Sequence, residues 1–276
     1  MSTGSLNQQI AGQPIEPRFL SSTFTSRIKM EFTVGGYTIK TASNSRELDQ
    51  VIALRNNVFL EEFAKGESDK NEDWDEFDEN CDFLIIKTRK TDEVIAVYRI
   101  IFSENSPRFY SQSEFELGSF LGRPGSKIEL SRACVRSDSR TGICIHLLWK
   151  GIGRLLSITK ARYLFGLSSI QTFDVKKILG IIRYFESHNH LLDDKLIVPS
   201  VNHKFLEIDD SFLRTYPSNS KIDDDIPPLL LSYIGVGAKV ARTPAIDLNF
   251  GCIDFLTILD CEEIAEALSR KYLMDL

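Results

Sequence analysis

The sequence predicts an α/β domain: a mixed sheet with helices packed on it. Segments with strand character come first, at 37–43 and through 81–102, and a strand–helix–strand–helix succession follows over 127–189. The composition, 42% hydrophobic and 26% charged, is that of a globular chain. With 276 residues there is enough chain to bury a large core in one domain.

Taken in order, residues 1–30 are rich in Ser, Gln, Thr and Pro and read as a flexible leader, leaving 31–276 as the domain. "YTIKTAS" (37–43) alternates like a short strand. Ser45 then caps an amphipathic helix with Leu48, Val51, Ile52, Leu54, Val58 and Phe59 on one side. "GESDKNEDWDEFDEN" (66–80) carries eight acidic residues without the glycine and spacing of a calcium loop, so it reads as a solvated acidic loop. "CDFLIIKTRKTDEVIAVYRIIF" (81–102) is a hairpin turning near "TDE". "KIELSRACVR" (127–136) is a strand, 141–165 a long apolar-striped helix, and "GLSSIQTF" (166–173) another strand. Asp174 opens a second amphipathic helix over 174–189, and further strands are expected around 196–208 and 246–260.

Several classes are disfavoured. The net charge of −6 argues against a nucleic-acid binder. No run approaches the roughly 18 apolar residues that span a bilayer, and the first residues lack the pattern of a secretory signal. Five Cys without a CxxC pair fit reduced thiols in a cytoplasm. His188 and His190 read as a surface pair at a helix end, and no metal site is expected.

The strand at 127–136 poses a problem. Glu129 and Arg132 are three apart, and a regular strand puts them on opposite faces. Either the strand is at an edge with Arg132 in water, or a β-bulge resets the alternation and turns both charges toward one cleft. A bulge also frees backbone N–H groups that can hold the oxygen of a carbonyl under attack. After Val135 come Asp138, Arg140 and Gly142 at the start of the long helix, whose N-terminus suits a phosphate. So thin a glycine loop fits the single phosphate of a phosphopantetheine arm on an acyl carrier protein better than a pyrophosphate.

The segments "DEFDENCDFLII", "YRIIF", "FYSQSEFEL", "IELSRACV", "LLWKGIG", "LFGLSSI", "IPPLLLSYIGVGAKV" and "PAIDLNFGCIDFLTIL" together resemble the ornithine-lipid type N-acyltransferases, a branch of the GNAT superfamily. The resemblance spans roughly 46–260 and is similar, at greater distance, to acyl-homoserine-lactone synthases and N-acyl amino acid synthases. The lactone-synthase pattern falls on Arg55 and Phe59, on Trp74 with Asp75 and Asp78, on Arg99, and on Glu129 with Arg132. Pro227, Pro228, Tyr233, Gly237 and Asp247 fit the lipid-acyltransferase branch.

The resemblance implies a GNAT fold, with a mixed, mostly antiparallel central sheet flanked by helices. It also implies an acyl thioester donor (acyl carrier protein or coenzyme A), an amine acceptor and no permanently bound cofactor. An α-amine titrates near ~8 and must lose a proton before it attacks. Glu129 is the expected base, with Arg132 orienting it or binding an acceptor carboxylate. Arg99, Asp75, Asp78, Arg55, Phe59 and Trp74 are expected at the acceptor side, although Arg55 and Asp78 read equally as a structural ion pair. Ala133, Cys134, Val135, Arg140 and Gly142 are expected at the pantetheine; Cys134 reads as core filling and not as a nucleophile. Tyr98 and Tyr110 are candidates to protonate the thiolate. Phe102, Phe109, Leu147, Leu148, Phe165 and Ile170 line an acyl tunnel or fill the core. An acidic carrier protein would dock on Lys150, Arg154, Lys176 and Lys177. "PPLLLSYIGVGAKVA" (227–241) covers the tunnel or lies against a membrane, a peripheral site being natural for a lipid product. The alternatives are a lactone-forming signal synthase and a non-catalytic GNAT-like binder of acyl carriers or lipids.

Overall fold

The computed structural model describes residues 24–63, 72–193, 197–204 and 225–264. The chain opens with β1 (Glu31–Val34) and β2 (Tyr37–Thr41), then α1 (Ser45–Arg55), which runs on as a π-helical segment over Asn56–Phe63. The hairpin is β3 (Asp82–Thr88) and β4 (Val94–Phe102). Short β5 (Phe115–Glu116) and α2 (Gly118–Leu121) lead to β6 (Lys127–Val135), α3 (Gly142–Thr159), β7 (Tyr163–Ile170) and α4 (Val175–Ser187). The remainder is β8 (Val198–Pro199), α5 (Pro228–Gly235), β9 (Lys239–Val240), β10 (Ala245–Asp247) and β11 (Cys252–Asp260).

One sheet runs in the order β1-β2-β3-β4-β6-β7-β11-β10, with β9 also paired to β11; β5 and β8 form a separate ribbon. Every pairing is antiparallel except β6 with β7. The expected α/β class and mostly antiparallel mixed sheet are both met. Three details differ from the sequence reading. Asn44, not Ser45, caps α1, accepting from Glu47 N at 3.0 Å. Of the expected leader, 1–23 lie outside the described residues, while 24–30 are packed: Asp82 accepts from the backbone of Arg27 and Ile28 at 2.8 Å each, and Ile28 and Met30 are buried. The strand expected over 196–208 amounts to β8, with 205–208 outside the described residues.

Apolar side chains fill both faces of the sheet. On one, α1 and the 109–121 segment cover Phe83, Val97, Ile101 and Phe165. On the other, α3 covers Leu84, Ile100, Ile128 and Leu130. α4 and α5 close the far end over Ile253 and Phe255.

Two features of β6 set up a site. Against β4, Val97 pairs with Cys134 but Arg99 pairs with Ser131, so Arg132 and Ala133 together oppose Tyr98. That is a β-bulge, and Arg132 takes φ +50° to make it. Against β7, pairing covers only Lys127–Glu129 with Tyr163–Phe165. Beyond that point the two strands separate. Gly166 is at the fork: a Cβ there would collide with Leu130 O. We expect Gly166→Ala to destabilise the protein by about 3 kcal/mol, since the nearest atom is backbone and cannot yield, read as a lower denaturant midpoint at unchanged m-value.

Candidate active site

The fork opens into a cavity of about 560 Å³. Leu130, Ala133, Leu164, Phe165 and Ile170 line it from the strands, and Pro227, Leu229, Leu230 and Tyr233 close it from α5 and the residue before it. The 227–241 segment thus covers the cavity. It is tied down through Tyr233, whose hydroxyl meets that of Tyr98 at 2.6 Å, and Ser232, which accepts from Trp149 Nε1 at 3.1 Å. Burial pushes the Tyr98 and Tyr233 hydroxyls up, so both stay protonated. The opposite wall is polar: Tyr110, Glu114, Arg132, Asp247 and Asp254, with Phe59 and Phe250 between them.

The bulge determines how Arg132 is presented. It puts Glu129, Ser131, Arg132 and Cys134 on one face and turns Ala133 to the other, so the expected pair of charges does share a face. β6 is central, between β4 and β7, and the edge-strand alternative falls away. Arg132 stacks on Tyr110, Phe250 and Phe59, its guanidinium carbon 4.8, 5.3 and 5.6 Å from the ring centres.

Arg132 is also one of three buried arginines held by aspartates of the described part of the acidic loop. Arg55 from α1 donates to Asp78 at 2.6 and 3.0 Å and to Asp73 at 2.8 Å. Arg99 from β4 donates to Asp75 at 2.6 Å and to Ser131 Oγ at 2.9 Å, and lies 3.3 Å from Asp78. Arg132 reaches Asp73 at 3.3 Å and Asp75 at 3.5 Å. Asp75 caps the short turn Glu76–Asn80 in a capping box with Asp78. The segment 72–80 is therefore stapled to the sheet and is not a solvated loop. Burial alone would lower the Arg55 pKa, yet Asp78 and Asp73 hold it above its ordinary value. Burial alone would raise Asp75, yet Arg99 and Arg132 hold it below the usual carboxylate range. Arg55, Arg99 and Asp78 are buried and are not in the cavity wall; Asp75 is partly exposed but is not in its wall either. Trp74 packs against Phe83, ring centres 6.5 Å apart. Of the residues expected at the acceptor side, Phe59 lines the cavity.

Glu129, expected as the base, does not reach the cavity. It is 0% exposed, and its oxygens accept from Tyr110 N and Ser111 N at 2.7 Å and from Ser111 Oγ at 2.5 Å. Burial pushes its carboxyl up against these donors. Its place is to fix the Tyr110–Ser113 turn, which sets the Tyr110 ring under Arg132.

Three carboxyls that sequence reading did not single out as acids of the site do line it. Glu114 is 2% exposed and Asp254 3%. Asp254 accepts from Ser169 Oγ at 2.5 Å, and Asp247 accepts from Asn249 N and Phe250 N at 2.8 and 3.1 Å. Burial first, then Asp254 and Asp247, push Glu114 up to about 9. Burial and Asp247 also raise Asp254. Cys252 lies among them, one donor atom of each of Asp247, Cys252 and Asp254 falling within 4.8 Å of the others; burial and the two aspartates keep it a thiol. The signal for Asp254 was a lone charge in the otherwise apolar "CIDFLTIL".

The remaining expected residues divide. Ala133 lines the cavity; Cys134 faces the core, and burial pushes its thiol up to about 12, which removes it as a nucleophile. Arg140 is exposed, donating to Val135 O at 3.0 Å and to Glu62 at 2.5 Å; it and Gly142, at the start of α3, are outside the cavity wall, as is Val135. Phe165 and Ile170 line the cavity, whereas Phe109, packed edge-on to Phe165 at 4.9 Å, is core, as are Leu147 and Leu148, and Phe102 packs at the edge of that core. Lys177 pairs with Asp225 at 2.7 Å on the cavity rim; Lys150, Arg154 and Lys176 are not in its wall.

Residues 54–150 match the acetyltransferase (GNAT) domain family. With the forked, bulged sheet, this makes the protein an acyltransferase of the GNAT fold. The chain is 26% identical over 255 residues to the L-ornithine N(alpha)-acyltransferase of Brucella abortus (strain 2308), covering 87% of this chain and 89% of that protein. It is 28% identical over 240 residues to the L-ornithine N(alpha)-acyltransferase of Rhizobium meliloti (strain 1021), covering 82% and 80%. The solved CoA-dependent acyl-homoserine lactone synthase BjaI, with SAM and isopentyl-CoA, aligns at a TM-score of 0.46 and 15% identity over 80% of this chain and 78% of that one.

Arg55→Ala should cost about 3–5 kcal/mol in chemical unfolding, because it strands Asp73 and Asp78 as buried charges. The raised Glu114 gives stability a pH dependence. The folded chain keeps this proton up to about 9, whereas an unfolded Glu loses it near ~4.3. Stability is therefore full below the unfolded value and falls as pH rises through that window, by up to about 1.4 kcal/mol per pH unit. Glu114→Gln should flatten the fall, measured as denaturation midpoints from pH ~5 to ~9.

Proposed function

We propose that this protein moves a fatty acyl group from a thioester, carried by acyl carrier protein or coenzyme A, to the α-amine of a small amino acid by direct attack. The observation that carries the reading is the cavity at the β6–β7 fork, apolar toward α5 and polar toward Glu114, Asp247 and Asp254. Such a cavity suits an acyl thioester meeting a charged acceptor. The relatives are named for acylation of L-ornithine at Nα, and an acceptor of that kind, an amino acid with a second amine, fits an acidic wall.

The residues suggest a division of roles. The bulge at Arg132–Ala133 lies beside the cavity, and its backbone N–H groups are the ones we assign to polarise the thioester carbonyl. Arg132 brings a positive charge to the cavity wall, shared at long range with Asp73 and Asp75, and its remaining N–H groups take the acceptor's carboxylate. The Tyr98–Tyr233 hydroxyls, at the α5 side, offer a hydrogen bond to the departing thiolate. The inert Cys134 supports transfer without an acyl-enzyme. No described helix is long and apolar enough to cross a membrane; an N-acyl amino acid product is itself an amphiphile, which suits release at a membrane surface. We propose one catalytic domain in which 24–30 pack onto 31–276, and retain Lys150, Arg154, Lys176 and Lys177 as the basic face for an acidic carrier protein.

The test is a free-thiol and product assay with long-chain acyl–acyl carrier protein or acyl-coenzyme A and a set of amino acids. Amine-dependent thiol release with an N-acyl product is expected. Arg132→Gln should lower kcat/KM by about 100-fold, mostly through the acceptor KM. Glu129→Gln should lower stability and leave the pH profile of kcat/KM unmoved. Bound acyl donor with no amine-dependent release would overturn the enzyme reading and leave a carrier-binding protein.

A further inference from the structure

The acidic wall of the cavity contains a pair of carboxyls with no cation of its own among the described residues. Glu114 Oε2 is buried and meets no donor among the described residues. Asp254 faces it from β11 in the same cavity wall, and two carboxyls buried side by side keep a proton between them more readily than two charges. The other groups that face the pair are Asp247 from the end of β10, Cys252 from β11, Tyr110 from the turn before β5, and Arg132 from β6. Of these only Arg132 is a cation, and it is already engaged by Asp73 at 3.3 Å and Asp75 at 3.5 Å. Both carboxyls open onto the cavity that receives the acceptor.

Building on the acyl transfer proposed above, we propose that the Glu114–Asp254 carboxyl pair binds the reacting ammonium of the acceptor and removes its proton. The pair enters with one proton and one negative charge. The ammonium gives it a second proton, leaving two neutral carboxyls and a free amine. The amine lone pair then forms the C–N bond, the C–S bond breaks, and the second N–H proton ends on the departing sulfur as thiol. The pair returns its extra proton to water. Glu114, held near 9, keeps the pair's own proton at neutral pH, so the ammonium's proton goes to Asp254, whose carboxyl is raised by burial and by Asp247. A carboxylate at its ordinary pKa would be a far weaker base for this proton.

The experiment compares wild type, Glu114→Gln and Asp254→Asn across pH, with two acceptors: L-ornithine, whose α-amine is mostly protonated at neutral pH, and hydroxylamine, which is not. The donor is whichever long-chain acyl thioester the wild type uses. Both variants should lose about 100-fold in kcat/KM for L-ornithine at neutral pH. The loss should shrink by about tenfold in all as pH rises from ~7 to ~9 and the amine deprotonates in solution. With hydroxylamine the variants should stay within about threefold of wild type. Equal losses with both acceptors at every pH would make the pair structural and overturn the proposal. So would variants that keep wild-type kcat/KM for L-ornithine, or a wild-type activity that EDTA abolishes and a divalent metal ion restores. A wild type without amine-dependent thiol release would instead overturn the acyl-transfer reading beneath it.

Discussion

The left-handed turn of Arg132 is the constraint on which the site depends. An L-residue at φ +50° is strained. Here the strain is compensated from several sides: Ser131 and Cys134 are held by β4, and the Arg132 side chain is fixed by two aspartates and three rings. The extra residue resets the alternation of β6. Arg132 comes to the polar side of the cavity and Ala133 to the apolar side. Without the bulge, Arg132 would point among Leu130, Ala96 and Trp149 beneath α3, a place no guanidinium could occupy unpaired.

The same strand also stops pairing with β7 after Glu129, and Gly166 marks where it does so. Parallel neighbours that separate would normally leave two rows of unsatisfied backbone. Cavity and lid fill that gap, with α5 anchored by Trp149 and Tyr98. Bulge and fork are thus consecutive features of one strand, and the cavity follows from both.

The architecture was legible because periodicity reports burial. The hairpin over 81–102, the striped helix after 141 and the helix opened by Asp174 each declare a face, and the structure has them all. Resemblance supplied the fold and the acyltransferase class. The partition of charges was harder to read. Arg55, Arg99, Asp75, Asp78 and Glu129 look catalytic as residue types, yet partners distant in sequence neutralise them. Arg55 and Asp78 are 23 residues apart, and Glu129 accepts from residues 18 and 19 positions away. Glu114, in "FYSQSEFEL", looked like an ordinary polar residue, because what singles it out is a meeting with Asp254, 140 positions on. No local pattern encodes that contact.

That partition has an electrostatic logic. On one side of Arg132, three arginines and three aspartates neutralise each other and lock the segment 72–80 to the sheet. On the other side, Glu114, Asp247 and Asp254 share a wall with no cation assigned to them alone. A buried carboxylate cluster of this kind raises its own pKa, because each added charge must be placed in a low-dielectric setting beside another. The cost falls when a cation enters. An ammonium acceptor would supply the missing charge, and in doing so would meet carboxyls whose proton affinity had been raised before it arrived. Recognition and deprotonation of the amine would then share one cause: acids buried together, with the balancing cation left to the substrate.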